Sequence, residues 1–144
     1  MLVRLLYASR AAESIGGELI EEILNEARSH NPAHGITGLL CVCQTGDVFL
    51  QALEGGREAI NRLYGNLLRD ARHRDVTLLD YAEINQRRCA GWRMGAVNLA
   101  KVNLSTVLKY SETPQIDPFE ITGQAALALI EELVDTAAII SRNQ

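Results

Sequence analysis

Apolar residues along this chain recur in two rhythms. Leu2 to Tyr7 is a short apolar run, and the small, polar stretch Ser9 to Gly17, with its Gly-Gly pair, ends that strand near Tyr7 and opens a helix. From Glu18 the rhythm becomes helical, with Leu19, Ile20, Ile23, Leu24 and Ala27 on one face. Glu21 and Glu22 lie early in this helix and Arg28 and His30 late, as the helix dipole favours, and Asn31–Pro32 stops it. Ile36 to Cys43 and Val48 to Leu53 are two further apolar runs around the turn-forming Gln44 to Asp47, a hairpin pattern that Gly55–Gly56 breaks. Ala59, Ile60, Leu63, Tyr64, Leu67 and Leu68 mark a second amphipathic helix ending before His73. Val76 to Ile84 reads as a long strand and Trp92 to Val97 as another.

The predicted order is β-α-β-β-α-β-β, an α+β ferredoxin-like arrangement with two helices on one face of a mixed, mostly antiparallel sheet. After Asn98 come the segment Leu104 to Tyr110, a turn-rich link through Pro114 and Pro118, and an Ala-rich helix carrying Leu129, Ile130, Leu133, Val134 and Ala137 on one face. Such helices can cover the bare face of the sheet or meet a partner or second copy. The expected organisation is a domain over 1–98 and a helical extension over 99–144.

Composition narrows the classes of function. The 144 residues suit one core, with no room for a second catalytic domain. Fourteen Lys and Arg against eighteen Asp and Glu give a net charge of −4 without a basic block, so nucleic acid is not an expected partner. No run approaches the roughly 20 apolar residues of a membrane span and no leader is evident, so a cytoplasmic protein without membrane contact is expected. Cys41 and Cys43, two apart in an apolar strand, share a face and read as small core residues; with Cys89 they lack the spacing of a metal site, and no metal is expected.

Three polar positions interrupt the apolar pattern. Phe49, Gln51 and Leu53 share one face of their strand and Val48, Leu50 and Ala52 the other, so Gln51 puts an amide on an otherwise apolar face. Burying it costs about 1–3 kcal/mol unless its groups are paired. A backbone partner or a solvated sheet edge would satisfy it. So would Tyr7, which shares a face with Val3 and Leu5 and whose strand the split βαβ order places next to that of Gln51. Asn31, with His30 beside it at the end of the first helix, reads on pattern alone as a left-handed cap.

These residues also carry a resemblance. LVRLLYASRA (2–11), HNPAHGITGLLC (30–41), FLQALEG (49–55), DARH (70–73) and GWRMGAV (91–97) occur in the order found in BLUF domains, the sensors of blue light using FAD. Leu108 to Ser111 resembles the tail of the short, stand-alone BLUF proteins that regulate cyanobacterial phototaxis. The resemblance implies FAD between the two helices, replaceable by FMN or riboflavin in recombinant protein, with its ring flanked by Ile23 and Leu67. It makes Tyr7 the redox-active tyrosine, Gln51 the switching glutamine and Asn31 a partner of the flavin's pyrimidine edge. His30, Asp70, Arg72 and His73 match further cofactor-side positions.

Light is then expected to drive an electron and a proton from Tyr7 toward the flavin, after which Gln51 rearranges by rotation or tautomerisation. An amide suits this role because one end donates and the other accepts. Trp92 and Met94, expected on one face of the last strand, would relay the signal outward; the resemblance leaves open whether Trp92 faces the flavin or solvent. The length of the chain leads to the expectation of no catalytic residue and no enzymatic output. A separate downstream signalling protein, met through the tail or the exposed sheet face, is the expected partner, and the tail's apolar face makes a homo-oligomer expected. Two features depart from the family pattern: a hairpin about two residues longer, at Gln44 to Asp47, and Cys89 where an aromatic residue is common. An acylphosphatase-type hydrolase is the competing enzyme reading, but the loop after the first strand offers only Arg10 to hold a phosphate. A ligand-binding module without redox chemistry is the third class, and fold alone does not separate them.

Overall fold

The structure is a computed structural model describing residues 1–12, 17–43 and 48–136, with the backbone alone at 17–20 and 30–32. Five strands, β1 (Leu2–Ala11), β2 (Thr37–Cys43), β3 (Val48–Gly56), β4 (His73–Ile84) and β5 (Gly95–Asn98), form one sheet in the order β4-β1-β3-β2-β5. All pairings are antiparallel except that of β2 with β5. Helices α1 (Gly17–His30) and α2 (Arg57–Arg69) lie on one face; α3 (Leu104–Tyr110) and α4 (Gly123–Asp135) pack with the core of the other. This is the ferredoxin-like α+β arrangement with an added fifth strand.

Alternation along the central strands creates two cores. Val3, Leu5, Tyr7, Phe49 and Leu53 point toward α1 and α2, whereas Leu6, Val48, Leu50 and Ala52 point toward α4. Cys41 and Cys43 both lie in the second core as buried free thiols. There α4 contributes Ala126, Leu129, Ile130 and Leu133, and its first turn lies so close to β4 that a Cβ on Gly123 would come within 2.1 Å of the Leu79 carbonyl oxygen. Ala137 and the turn Gln44 to Asp47 lie outside the described residues.

Besides β4, which begins at His73 rather than Val76, three strand boundaries differ from the sequence reading by more than one residue. β1 does not end near Tyr7 but runs to Ala11, because Ser9 and Arg10 pair with β3, and Arg10 and Ala11 with β4. The polar Ser9 is buried there, its hydroxyl 2.9 Å from His73 Nδ1. Gly55 and Gly56 do not break β3, since they pair with Val3 and Leu2. The last strand begins at Gly95 rather than Trp92, and this third difference bears on function. Trp92 and Met94 lie in the preceding loop, where the Trp92 amide donates to the Cys89 carbonyl across a 2.9 Å turn. They do not share a face: Trp92 packs into the core on the α4 side and Met94 into the core on the α1–α2 side.

Candidate functional site

Between α1, α2 and the sheet lies a cavity of about 320 Å³. Ile23 and Ala27, one turn apart on α1, line one side, and Ala59, Leu63 and Leu67 on α2 line the other. The same apolar stripes that fasten these helices to the sheet therefore wall the space between them. Ile36, Leu40 and Leu53 complete the apolar lining, and Tyr7 and Gln51 bring polar groups into it.

Tyr7 and Gln51 are direct partners across β1 and β3. Both are buried, and the Tyr7 hydroxyl donates a hydrogen bond to Gln51 Oε1. On the other side of the amide, Gln51 Nε2 donates to Met94 Sδ at 3.4 Å. The two bonds fix which way the amide points, and among the described residues they leave it with a second N–H and further lone pairs beside the cavity. Burial, reinforced by the negative charge of Asp70, raises the Tyr7 pKa and keeps its hydroxyl protonated at neutral pH.

One end of the cavity is charged. Arg72 grips Asp70 through Nε and Nη2 at 2.6–3.0 Å and reaches Glu26 on α1 at 2.8 Å, so it ties the start of β4 to the first helix. That grip holds the Asp70 carboxyl below its usual pKa. His73 packs on the Phe49 ring with centroids 5.3 Å apart, and burial lowers its pKa so that the imidazole is neutral. Of the positions matched by motif, Tyr7, Ile23, Gln51, Leu67, Asp70, Arg72 and His73 all line this one cavity. The side chains of His30 and Asn31 lie outside the described residues.

The donor set fits a flavin. An isoalloxazine is a flat ring system whose apolar faces need walls and whose pyrimidine edge alternates donors and acceptors. Opposed aliphatic walls from two helices, with an amide and a phenol at the sheet, match both demands. Ala27, Ala59, Arg62, Leu63 and Asn66 also line the space; the sequence places Ala27, Ala59 and Leu63 on apolar helix faces without marking them as site residues, although Ala27 and Leu63 lie one turn from Ile23 and Leu67.

Glu54 was also missed. It is buried on the opposite face of β3 from Gln51, and its carboxylate accepts from the backbone amides of Arg88 and Cys89 at 2.7 and 2.8 Å and from Thr37 Oγ1 at 3.2 Å. This clamps the loop leading to Trp92 and Met94. The polar-in-apolar signal that marks Gln51 applies equally to Glu54, which alternates with Leu50 and Ala52.

The sequence profile of BLUF, "sensors of blue-light using FAD", matches residues 2–95. The photoactivated adenylate cyclase subunit beta of Euglena gracilis is 33% identical over 86 residues, 60% of this chain; the match spans only 10% of that subunit. The photo-activated state of BlsA superimposes with a TM-score of 0.79 at 27% identity, covering 100% of this chain and 99% of that one. BlrB, a BLUF protein in its dark state, gives 0.78 at 27% identity, covering 94% and 96%. A match over residues 2–95, at the cavity and strand pairing described above, places the chain in the BLUF family of blue-light photoreceptors that use FAD.

Proposed function

We infer that this chain is a blue-light sensor in which Tyr7 and Gln51 form the switch, and that its signal passes to a separate protein rather than to a catalytic output of its own. The observation that carries this reading is the buried Tyr7–Gln51–Met94 series, which connects a cavity suited to a flavin with the loop ahead of β5. Ile23 and Leu67 would flank the ring, and Asp70, Arg72 and His73, with His30 and Asn31, would serve its polar edges. Bound FAD supplies light absorption and electron acceptance.

With FAD bound, Tyr7 would be the donor of an electron and of its hydroxyl proton, and both would return to it from the flavin, so the cycle would consume nothing. While the proton is away, Oε1 of Gln51 has lost the donor that held it, and the amide can rearrange. A rotated or tautomerised amide presents a different donor–acceptor pattern to the cavity without creating a buried charge. The change is felt at Met94, which touches the amide, and reaches Trp92 through the loop that both share. On this reading residues 1–98 form the sensor, and residues 99–144 brace the sheet and offer a surface for a partner or a second copy. Purified protein provides the test: bound yellow flavin with a reversible red shift under blue light is expected, and a colourless protein after reconstitution with FAD would reject the reading.

A further inference from the structure

Arg28 lies on α1 one residue beyond Ala27, whose side chain walls the cavity, and it reaches across to the loop before β5. Its Nε and Nη2 donate to the Met94 carbonyl oxygen at 3.3 and 3.1 Å, a two-donor grip on a single backbone acceptor. Met94 is thereby held at both ends: its carbonyl by a helix that walls the cavity, its Sδ by the Gln51 amide. Its side chain is also confined from below, since a Cβ on Gly38 would meet Met94 Cε at 3.1 Å. The Gly38 amide meets the Trp92 carbonyl at 3.4 Å, which pins the loop at a second point.

We propose that Arg28 is a positioning residue of the light switch: by fixing the Met94 backbone it keeps the thioether where it can accept from Gln51 Nε2 and so favours the resting orientation of that amide. The chemistry is one-sided. A thioether accepts weak hydrogen bonds and donates none, so any rearrangement that turns Nε2 away from Sδ loses this contact and gains nothing there. The contact therefore biases the amide toward its resting state, and the bias depends on Met94 being held. Arg28 is not among the residues lining the cavity, which separates this role from cofactor binding. The proposal rests on the Tyr7–Gln51 switch set out above.

The test compares dark recovery of the red-shifted band in FAD-loaded protein with Arg28→Ala, Arg28→Lys, Met94→Leu and the Arg28→Ala/Met94→Leu double variant. Arg28→Ala and Met94→Leu should each slow recovery by about two- to five-fold, the scale of a weak hydrogen bond to sulfur. The double variant should be no slower than the slower single one, because both remove the same contact. Arg28→Lys, which can still donate to the carbonyl, should restore much of the parent rate. Unchanged recovery in Arg28→Ala, or a double variant slowed by the product of the two single effects, would overturn the proposal. If Arg28→Ala does not retain flavin, the Arg28→Lys and Met94→Leu pair decides: a parent-like rate in Met94→Leu refutes the bias. A flavin-loaded parent with no red shift would instead refute the switch itself.

Discussion

The two faces of the sheet are built from the same strands yet differ in what they enclose. On the α4 side Leu50, Ala52, Leu129 and Leu133 fill the space with apolar side chains, and Trp92 is packed among them. On the α1–α2 side the helices lean on Leu5, Phe49 and Leu53 but leave a cavity whose lining includes a phenol and an amide. The buried polar side chains of β3 sort accordingly. Glu54, on the α4 side, spends its carboxylate on two backbone amides and a threonine hydroxyl, so it works as a clamp. Gln51, on the cavity side, is held among the described residues by one hydroxyl and one sulfur, and beyond these two bonds its amide keeps bonding capacity. A saturated polar group fixes structure; one with spare donors can change partners.

Substitutions on the two faces should therefore fail in different ways. Tyr7→Phe gives the largest functional effect: the ring still packs and flavin still binds, but the donor hydroxyl is gone and the reversible red shift should disappear. Its stability should fall by only about 1 kcal/mol, the usual worth of one hydrogen bond. A normal red shift in Tyr7→Phe would remove the tyrosine from the switch. Leu129→Ala should do the reverse. Leu129 is fully buried against the α4 side of the sheet, and truncation there should cost about 2–5 kcal/mol in denaturant unfolding while the folded fraction keeps its red shift. Should Leu129→Ala abolish the shift at full flavin loading, the two faces would be more tightly coupled than their separate cores imply.

The sequence made this contrast legible where it depends on alternation. Gln51 stands out because both neighbours on its face are apolar, and Tyr7 could be set beside it because the strand order follows from the order of helical and alternating segments. Where a tertiary partner overrode the local pattern, the reading stopped short. Ser9 looks like loop chemistry until His73 supplies its partner, so the local pattern ends β1 four residues before Ala11. The period of two puts Trp92 and Met94 on one face, but it holds only within a strand. They precede Gly95, where β5 begins, and the bend at 93–94 sends them to opposite sides. Arg28 reads as a cation suited to a helix C-terminus. Nothing local to it indicates that it grips a carbonyl 66 positions away.

The smallest expected effect concerns pH and arises at the charged end of the cavity. His73 sits between Asp70, whose charge would favour the imidazolium, and two influences that oppose it: burial, which is the larger, and the Arg72 guanidinium. Its pKa is therefore lower in the folded protein than the roughly 6.5 of an exposed histidine. As pH falls through that value the unfolded chain takes up a proton before the folded one does, so this residue's contribution to stability is intact above about 6.5 and declines below it, levelling off once the folded imidazole also protonates. Urea unfolding between pH 5 and 8 should show the decline in the parent protein. Carboxylates titrate at the lower end of the same range, so the informative quantity is the difference between the parent and His73→Gln, which removes the titration while keeping a polar group opposite Ser9. That difference should shrink as pH falls. If it grows instead, Asp70 holds the imidazole charged in the folded state, and the charged end of the cavity would carry one more positive group than its burial allows.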